Sequence, residues 1–176
     1  MTDAIRQELK VDIALINAAN LRGSLTAGKV TDRDISSITP FKNRMVKTYL
    51  TEKELVDALK HGAASMLKND HKPGLLMGSG INYTVNKKGE LLELNYIDKT
   101  GNVNKIDVNN PREDKKYLCA YDDFLAKGGD KFSTLNKMDS LIEYYNFDKD
   151  TLAVNYIKKL GKPLSIKSDN RIKIAD

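Results

Sequence analysis

Runs of hydrophobic residues with two different periods divide the chain into strands and helices. The segment Val11 to Ile16 is apolar except at Asp12, and such a run is typical of a strand buried on both faces. Met45 to Leu50 and Tyr117 to Tyr121 are also predicted strands. Alternating residues between Ile81 and Val108 predict antiparallel strands joined by tight turns. A closing strand is predicted from Arg171 to Ile174.

Helices are predicted where capping signals precede residues with a helical period. Thr2 to Lys10 is a short predicted helix. Thr31 to Asp34 and Thr51 to Glu54 each place a threonine three residues before an acid, which is the arrangement of a capping box. One apolar face continues the helix after the second box: Leu55, Ala58, Leu59, Ala63 and Met66. Two more helices are predicted, at Lys137 to Tyr145 and at Thr151 to Leu160.

This order of elements indicates an α+β fold, with mixed strands and helices packed on the sheet faces. The 176 residues contain no internal repeat and no linker, so we predict a single domain over residues 1–176. A hydrophobic content of 40% with 30% charged residues excludes a disordered or fibrous protein. No apolar run reaches the roughly 18 residues of a membrane span. The first residues lack the apolar core of a signal peptide, which is compatible with a cytosolic protein or with a leader upstream of this sequence.

The net charge of +5 does not by itself predict nucleic-acid binding. The lysines are dispersed among 24 acidic residues, and the densest pairs are Lys115-Lys116 and Lys158-Lys159. Such dispersed pairs are typical of a solvated surface. The single cysteine, Cys119, lies in an apolar stretch and is predicted to pack in the core.

No cluster of residues predicts a catalytic or metal site in this chain. The only histidines are His61 and His71, and His61 is expected to end a helix. The adjacent carboxylates Asp122 and Asp123 would point to opposite faces of a strand. Gly78-Ser79-Gly80 leads into a strand instead of a helix, so it predicts a close backbone approach and not a phosphate loop. We therefore predict no catalytic residue, no metal ligand and no cofactor in this chain.

Three segments instead provide the parts of a nucleoside-binding pocket: Asn17 to Arg22, Pro40 to Asn43, and Phe124 to Phe132. Aromatic rings stack on bases, which contributes about 1–3 kcal/mol per base. A carboxylate accepts hydrogen bonds from two ribose hydroxyls, and arginine suits phosphate. Taken singly, each phenylalanine also fits the core, and Asp130 also fits a simple turn.

Five segments, taken in order, resemble the C-terminal domain of the 5′-nucleotidase family. They are Asp12 to Arg22, Pro40 to Asn43, Leu50 to Leu55, Ser79 to Ile81 and Phe124 to Phe132. This family includes UDP-sugar hydrolases, ecto-5′-nucleotidases and 2′,3′-cyclic-nucleotide phosphodiesterases. The resemblance covers nearly the whole chain and implies the layered fold of that domain.

The resemblance also implies which residues bind the substrate: Asn17, Arg22, Phe41, Asn43, Gly74, Phe124 and Asp130. In this family Phe41 and Phe124 would sandwich the base, Asn43 would reach the base edge, and Asp130 would take the ribose hydroxyls. Gly74 would line the pocket. The family usually has glycine at three positions where this chain differs: Ala19, Lys42 and Lys131.

The function implied is that of the substrate-binding domain of a metal-dependent phosphoester hydrolase. In this family two divalent metal ions are held by an N-terminal metallophosphoesterase domain, which this sequence does not contain. We therefore expect the chain alone to be inactive, its first helix to be cut short, and its parent protein to be extracytoplasmic. The expected partners are a nucleoside or nucleotide substrate and that missing domain. A non-catalytic nucleotide-binding or surface-interaction module is the alternative.

Overall fold

The computed structural model describes residues 1–67, 74–165 and 167–176. Its strands are β1 (Ile13–Asn17), β2 (Arg44–Thr51), β3 (Leu76–Ser79), β4 (Ile81–Asn86), β5 (Leu91–Ile97), β6 (Val103–Ile106), β7 (Lys116–Asp122), β8 (Glu143–Asp148) and β9 (Ile172–Ala175). Its α-helices are α1 (Thr2–Glu8), α2 (Asp32–Ile38), α3 (Glu52–Ala64), α4 (Asp123–Ala126) and α5 (Lys149–Leu160). The predicted role of His71 lies outside the described residues.

The strands form two mixed sheets, which confirms the α+β prediction. The first sheet has the order β3-β1-β7-β2-β8, and the second has the order β6-β5-β4-β9. In the first sheet β1 is parallel to β7, and β2 is antiparallel to β7 and β8. In the second sheet β4, β5 and β6 form the predicted antiparallel meander, and β9 joins it parallel to β4.

Strand β1 divides the core, because its successive side chains point to opposite faces of the sheet. Ile13 and Leu15 pack in a cluster that includes residues of α3 and of the second sheet. Ala14 and Ile16 pack on the other face, in a cluster that includes residues of α1 and α5. All of β1 is buried, as its apolar residues Ile13 to Ile16 predict, and the polar Asn17 at its end is buried as well.

Both predicted capping boxes are formed. The Thr31 hydroxyl accepts from the amide of Asp34 at 3.3 Å, and the Asp34 carboxylate accepts from the amide of Thr31 at 2.7 Å. Thr51 and Glu54 make the equivalent pair at 3.1 and 2.9 Å. Apolar residues of the predicted α3 face are buried, and Met66, in the 3₁₀ turn that follows, packs partly buried against the same core.

The helix predicted at Lys137 to Tyr145 is wrong. A 3₁₀ turn, Met138–Ser140, is followed there by β8, whose residue Tyr144 lies opposite Val46 of β2. Pairing with the free edge of β2 outweighs the local helical signal, and the aromatic residues of β8 favour a strand. The prediction that α3 ends at His61 is also wrong, since the helix continues to Ala64.

Gly80 makes the close backbone approach predicted for the Gly78-Ser79-Gly80 segment. It has a φ of +89°, and a β-carbon built on it would lie 2.2 Å from the carbonyl oxygen of Asp12. The turn between β3 and β4 therefore requires a residue without a side chain at this position.

Glu52, the first residue of α3, is buried and anchors the loop that precedes β7. Its carboxylate accepts hydrogen bonds from Arg112 Nη2 and from the Tyr117 hydroxyl, both at 2.9 Å. Burial alone opposes ionisation, but the hydrogen bonds from Arg112 and Tyr117 outweigh it and hold the pKa of Glu52 below its ordinary value of 4.5. This network stabilises the folded state only when Glu52 is ionised.

Glu52→Gln is expected to lower the free energy of unfolding by about 1.5–3 kcal/mol near neutral pH, because it removes a charged acceptor. The folded-state pKa is the lower one, so this contribution is complete above the ordinary value of 4.5 and is lost as the pH falls through the folded-state pKa. Urea unfolding from pH 7 to pH 3 should therefore show the two proteins converging in stability. Glu113→Gln, an exposed neighbour of Arg112, is the control and should have little effect.

Candidate functional site

A pocket of about 260 Å³ lies at one end of the strands of the first sheet, where the segments that follow β1, precede β2 and follow β7 meet. The carboxyl ends of β1 and β7 and the beginning of β2 are neighbours there, because β1 and β7 are parallel and β2 is antiparallel to β7. The pocket is lined by Asn17, Ala19, Asn20, Arg22, Phe41, Asn43, Phe124 and Asp130. Six of the substrate-binding residues predicted from the sequence are thus brought together.

Gly74 is the predicted site residue that does not line this pocket among the described residues. A β-carbon built on Gly74 would lie 3.1 Å from the β-carbon of Ala18, in the turn that follows β1. Gly74 therefore packs against Ala18, in the turn between Asn17 and Asn20.

Two phenylalanine rings form the apolar walls of the pocket. Phe41 is 42% exposed and Phe124 is 38% exposed, whereas Phe132, eight residues after Phe124, is completely buried. The Arg22 guanidinium lies 5.6 Å from the centroid of the Phe41 ring, which is within cation–π range. Phe132 is thus a core residue, while Phe41 and Phe124 keep part of their surface available to a ligand.

The Phe124 ring packs directly against Gly129 of the following turn. A β-carbon built on Gly129 would lie 2.6 Å from two carbons of that ring and also 2.6 Å from the carbonyl oxygen of Phe124. Glycine at this position therefore allows the ring to lie where it does. The Gly-Gly turn sets the position of an aromatic wall in addition to presenting Asp130.

Asp130 is held by polar contacts on two sides. Its Oδ2 accepts a hydrogen bond of 2.7 Å from Asn17 Nδ2, and its backbone carbonyl accepts one of 2.9 Å from His61 Nε2. Because a carbonyl only accepts, Nε2 of His61 carries the proton in this contact. The His61 ring also packs edge-on against Phe132, with 4.6 Å between ring centroids. His61 thus ties the Asp130 turn to α3.

Ala19, Lys42 and Lys131 stand where the family typically has glycine. Of these three residues, only Lys131 has a backbone conformation that is unfavourable for a residue with a side chain. Lys131 has a φ of +64°, and the preceding Asp130 has a φ of +52°. Ala19 and Lys42 are not in the left-handed region. A left-handed conformation costs a residue with a side chain roughly 1–2 kcal/mol, so the Asp130 turn stores modest strain.

Lys42 does not contribute to the pocket lining, because its ammonium is turned toward the start of α5. Its Nζ lies 2.6 Å from Asp150 and 3.6 Å from Asp148. The hydrogen bond to Asp150 raises the pKa of Lys42. The charge introduced at this position is therefore balanced by two carboxylates outside the pocket.

A buried lysine supports the Phe41 wall from behind. Lys149 is completely buried, and its Nζ donates a hydrogen bond of 2.9 Å to the backbone carbonyl of Phe41. Burial lowers the pKa of Lys149, while the charges of Asp122, Asp150 and Asp148 oppose that shift. The first turn of α5 thus fixes the Phe41 segment, a role that no sequence pattern indicates.

Two polar residues at the base of the pocket, Asn20 and Asp122, are not among the predicted site residues. Asn20 Nδ2 donates to Asp122 Oδ2 at 3.0 Å and also to Asn17 Oδ1. Asn43 Nδ2 donates to the same Asp122 oxygen at 3.3 Å. The available signal for Asn20 was its spacing of three residues from Asn17. Asp122 has no comparable signal, because it directly follows the predicted strand Tyr117 to Tyr121 and resembles any polar residue at the end of a strand.

Asp122 and Asp123 do turn to different partners, although Asp123 begins α4 and is not in a strand. Asp122 caps the helix by accepting from the Leu125 amide at 3.1 Å. Asp123 accepts from Lys127 Nζ at 2.7 Å and from the Tyr144 hydroxyl at 3.0 Å. Burial favours the protonated acid, but these hydrogen bonds outweigh it and lower the pKa of Asp123.

A larger cavity, of about 560 Å³, lies beside α1 and is a weaker candidate site. Two of its three cationic residues already have partners within the chain. Arg6 Nη2 donates to the carbonyl of Ile97 at 2.6 Å, and Lys99 Nζ lies 3.6 Å from Asp12. The smaller pocket combines exposed aromatic rings with convergent polar groups, so we take it as the functional site.

Within residues 1–67, 74–165 and 167–176, no group of three or more His, Cys, Asp or Glu side chains is arranged to hold a metal ion. No described helix is both long and apolar enough to cross a membrane.

Comparison with known proteins gives a consistent result. The family described as "5′-nucleotidase, C-terminal domain" matches residues 1–137. The NAD 5′-nucleotidase of Haemophilus influenzae is 30% identical over 156 residues, which is 84% of this chain and 25% of that protein. The cell wall protein Lmo0130 of Listeria monocytogenes is 27% identical over 170 residues, 92% of this chain and 20% of that protein.

The fold is likewise similar to a solved structure. The crystal structure of the 5′-nucleotidase precursor from Thermus thermophilus superimposes with a TM-score of 0.80 at 24% identity, over 98% of this chain and 34% of that one. The chain therefore spans between 20% and 34% of the length of each of these three proteins. By the extent of the family match, the chain belongs to the 5′-nucleotidase C-terminal domain family.

Proposed function

We propose that this domain binds the nucleoside part of a nucleotide substrate, with the base between Phe41 and Phe124. The observation that carries the proposal is the convergence of two partly exposed aromatic rings, an arginine and a carboxylate on one pocket. The rings offer apolar faces for stacking, and the carboxylate of Asp130 offers acceptors for ribose hydroxyls.

In this proposal hydrolysis takes place elsewhere in the parent protein. The domain holds the nucleoside, while a metallophosphoesterase domain supplies two divalent metal ions and the attacking water. The match to a family described as a C-terminal domain supports this division of labour. The similarity to a Listeria cell wall protein supports an extracytoplasmic location for the parent.

The affinity of the isolated domain should be weak. Two stacking contacts contribute roughly 2–6 kcal/mol, and each neutral hydrogen bond adds about 0.5–1.5 kcal/mol. Immobilising the ligand costs an estimated 4–15 kcal/mol. A dissociation constant near 1 mM requires a net of only about 4 kcal/mol. We therefore expect millimolar binding.

A titration of the ¹⁵N-labelled domain with adenosine tests the proposal. Shifts should be confined to the amides around Phe41, Phe124 and Asp130, and Phe124→Ala should weaken binding by about fivefold or more, as expected for the loss of one stack. Tyr49→Ala removes another exposed aromatic ring that does not line the pocket, and it should leave binding unchanged. Equal losses in both variants, or no shifts at several millimolar adenosine, would contradict the proposal.

A further inference from the structure

The short segment that carries Phe41 is held at both ends by the first turn of α5. At its start, the hydroxyl of the buried Thr39 donates a hydrogen bond to Asp150 Oδ1. At its end, Lys42 Nζ donates to Asp150 Oδ2 at 2.6 Å. Asp150 is itself buried, so a single carboxylate joins the two ends of the segment through its two oxygens.

Lys149 adds a third contact, midway between these two. Its Nζ donates to the backbone carbonyl of Phe41 at 2.9 Å, and its side chain is completely buried. The carboxylates of Asp122, Asp150 and Asp148 act against the lowering of its pKa by burial, so they favour the charged form. A hydrogen bond with a charged donor is roughly twice as strong as a neutral one. The Phe41 carbonyl is therefore held firmly from behind.

The ring of Phe41 has less support of its own. It is 42% exposed, and the Arg22 guanidinium lies 5.6 Å from its centroid. A ring that is packed on only part of its surface follows any movement of the backbone that carries it. The position of this wall of the pocket therefore depends on the three backbone and side-chain contacts that the first turn of α5 makes with the segment.

We propose that these contacts form a clasp that positions Phe41 for stacking, with Lys149 as its central positioning residue. The clasp consists of Thr39, Lys42, Lys149 and Asp150. None of these four side chains lines the pocket, so the clasp acts on a ligand only through Phe41. The inference rests on the proposed nucleoside-binding function and goes beyond it, because it makes affinity for the base depend on residues that do not touch the base.

Lys149→Met tests the clasp, because methionine has a flexible apolar side chain that suits a buried site but donates no hydrogen bond. In chemical-shift titrations with adenosine, the dissociation constant should rise about fivefold, since a displaced ring loses a stacking contact. Intermolecular NOEs from adenosine to the Phe41 ring should weaken, whereas those to the Phe124 ring should persist. A general loss of stability would not confine the effect to one wall of the pocket.

Two further variants separate positioning from stability. Val85→Ala removes buried methyl groups from β4 in the second sheet, so it should lower the free energy of unfolding and keep the wild-type affinity. Thr39→Val removes one hydrogen bond of the clasp, and it should weaken adenosine binding about twofold or more. Thr39→Val tests the clasp even if Lys149→Met does not fold.

Wild-type affinity in a folded clasp variant, or an equal loss of affinity in Val85→Ala, would overturn the inference. Failure of adenosine to bind the wild-type domain would overturn the proposed function instead, and the clasp is then tested in the free domain. There, NOEs between the side chains of Phe41 and Arg22 should be weaker in Lys149→Met than in the wild type. Unchanged NOEs would show that Lys149 does not position the ring.

Discussion

Gly129→Ala is expected to abolish measurable nucleoside binding while the domain remains folded. The new β-carbon would lie 2.6 Å from the Phe124 ring and 2.6 Å from the carbonyl oxygen of Phe124. The ring end can rotate away, but the carbonyl belongs to the backbone, so the turn itself must shift. That shift moves Phe124 and Asp130 together, the aromatic wall and the carboxylate of the site. We expect affinity for adenosine to fall at least tenfold and the free energy of unfolding to fall by about 1–3 kcal/mol.

Gly62→Ala provides a matched control within the same domain. A β-carbon at Gly62 would meet only ordinary contacts, the nearest being the carbonyl oxygen of Gly74 at 3.4 Å. Alanine also favours a helix interior over glycine by about 0.5–1 kcal/mol. Adenosine titrations and urea unfolding of both variants separate the two effects. Wild-type affinity in Gly129→Ala would show that the position of Phe124 does not determine binding.

Gly80→Ala is expected to produce the largest loss of stability. Two costs add at this position, because alanine is strained at a φ of +89° and its β-carbon would lie 2.2 Å from the Asp12 carbonyl. The left-handed backbone alone costs roughly 1–2 kcal/mol, and forcing apart a packed contact costs about 1–3 kcal/mol more. Urea unfolding should show a total loss of about 2–5 kcal/mol.

Gly101→Ala isolates the backbone cost from the steric cost. Gly101 has nearly the same φ, +91°, yet a β-carbon there would have no atom within 4 Å. This variant should lose only about 1–2 kcal/mol. If the two variants lose the same stability, the steric cost at Gly80 is zero. The close contact between Gly80 and the Asp12 carbonyl would then be incorrect.

Much of the fold could be predicted from the sequence because its signals are local. The capping boxes at Thr31 and Thr51 depend on residues three positions apart, and the burial of β1 follows from its four consecutive apolar side chains, Ile13 to Ile16. The prediction for the segment that forms β8 was wrong because the conformation of this segment depends on pairing with β2, about 100 residues earlier. A local pattern does not carry that information.

The residues of the site also divide into those that could be predicted from the sequence and those that could not. The residues that line the pocket lie in three short segments that resemble a known family, so Phe41, Phe124 and Asp130 could be named in advance. Lys149 could not, because its contact with the Phe41 carbonyl joins residues 108 positions apart. Asp122 could not either, because its contacts with Asn20 and Asn43 join residues 102 and 79 positions apart.

An intermolecular NOE experiment on the domain with adenosine tests directly whether the base lies between Phe41 and Phe124. Assignment of the four phenylalanine rings makes Phe41 and Phe124 distinguishable from the buried Phe132. We expect NOEs from the base protons of adenosine to the rings of both Phe41 and Phe124, and none to Phe132. NOEs to only one ring, or to residues around the larger cavity beside α1, would contradict a base held between Phe41 and Phe124.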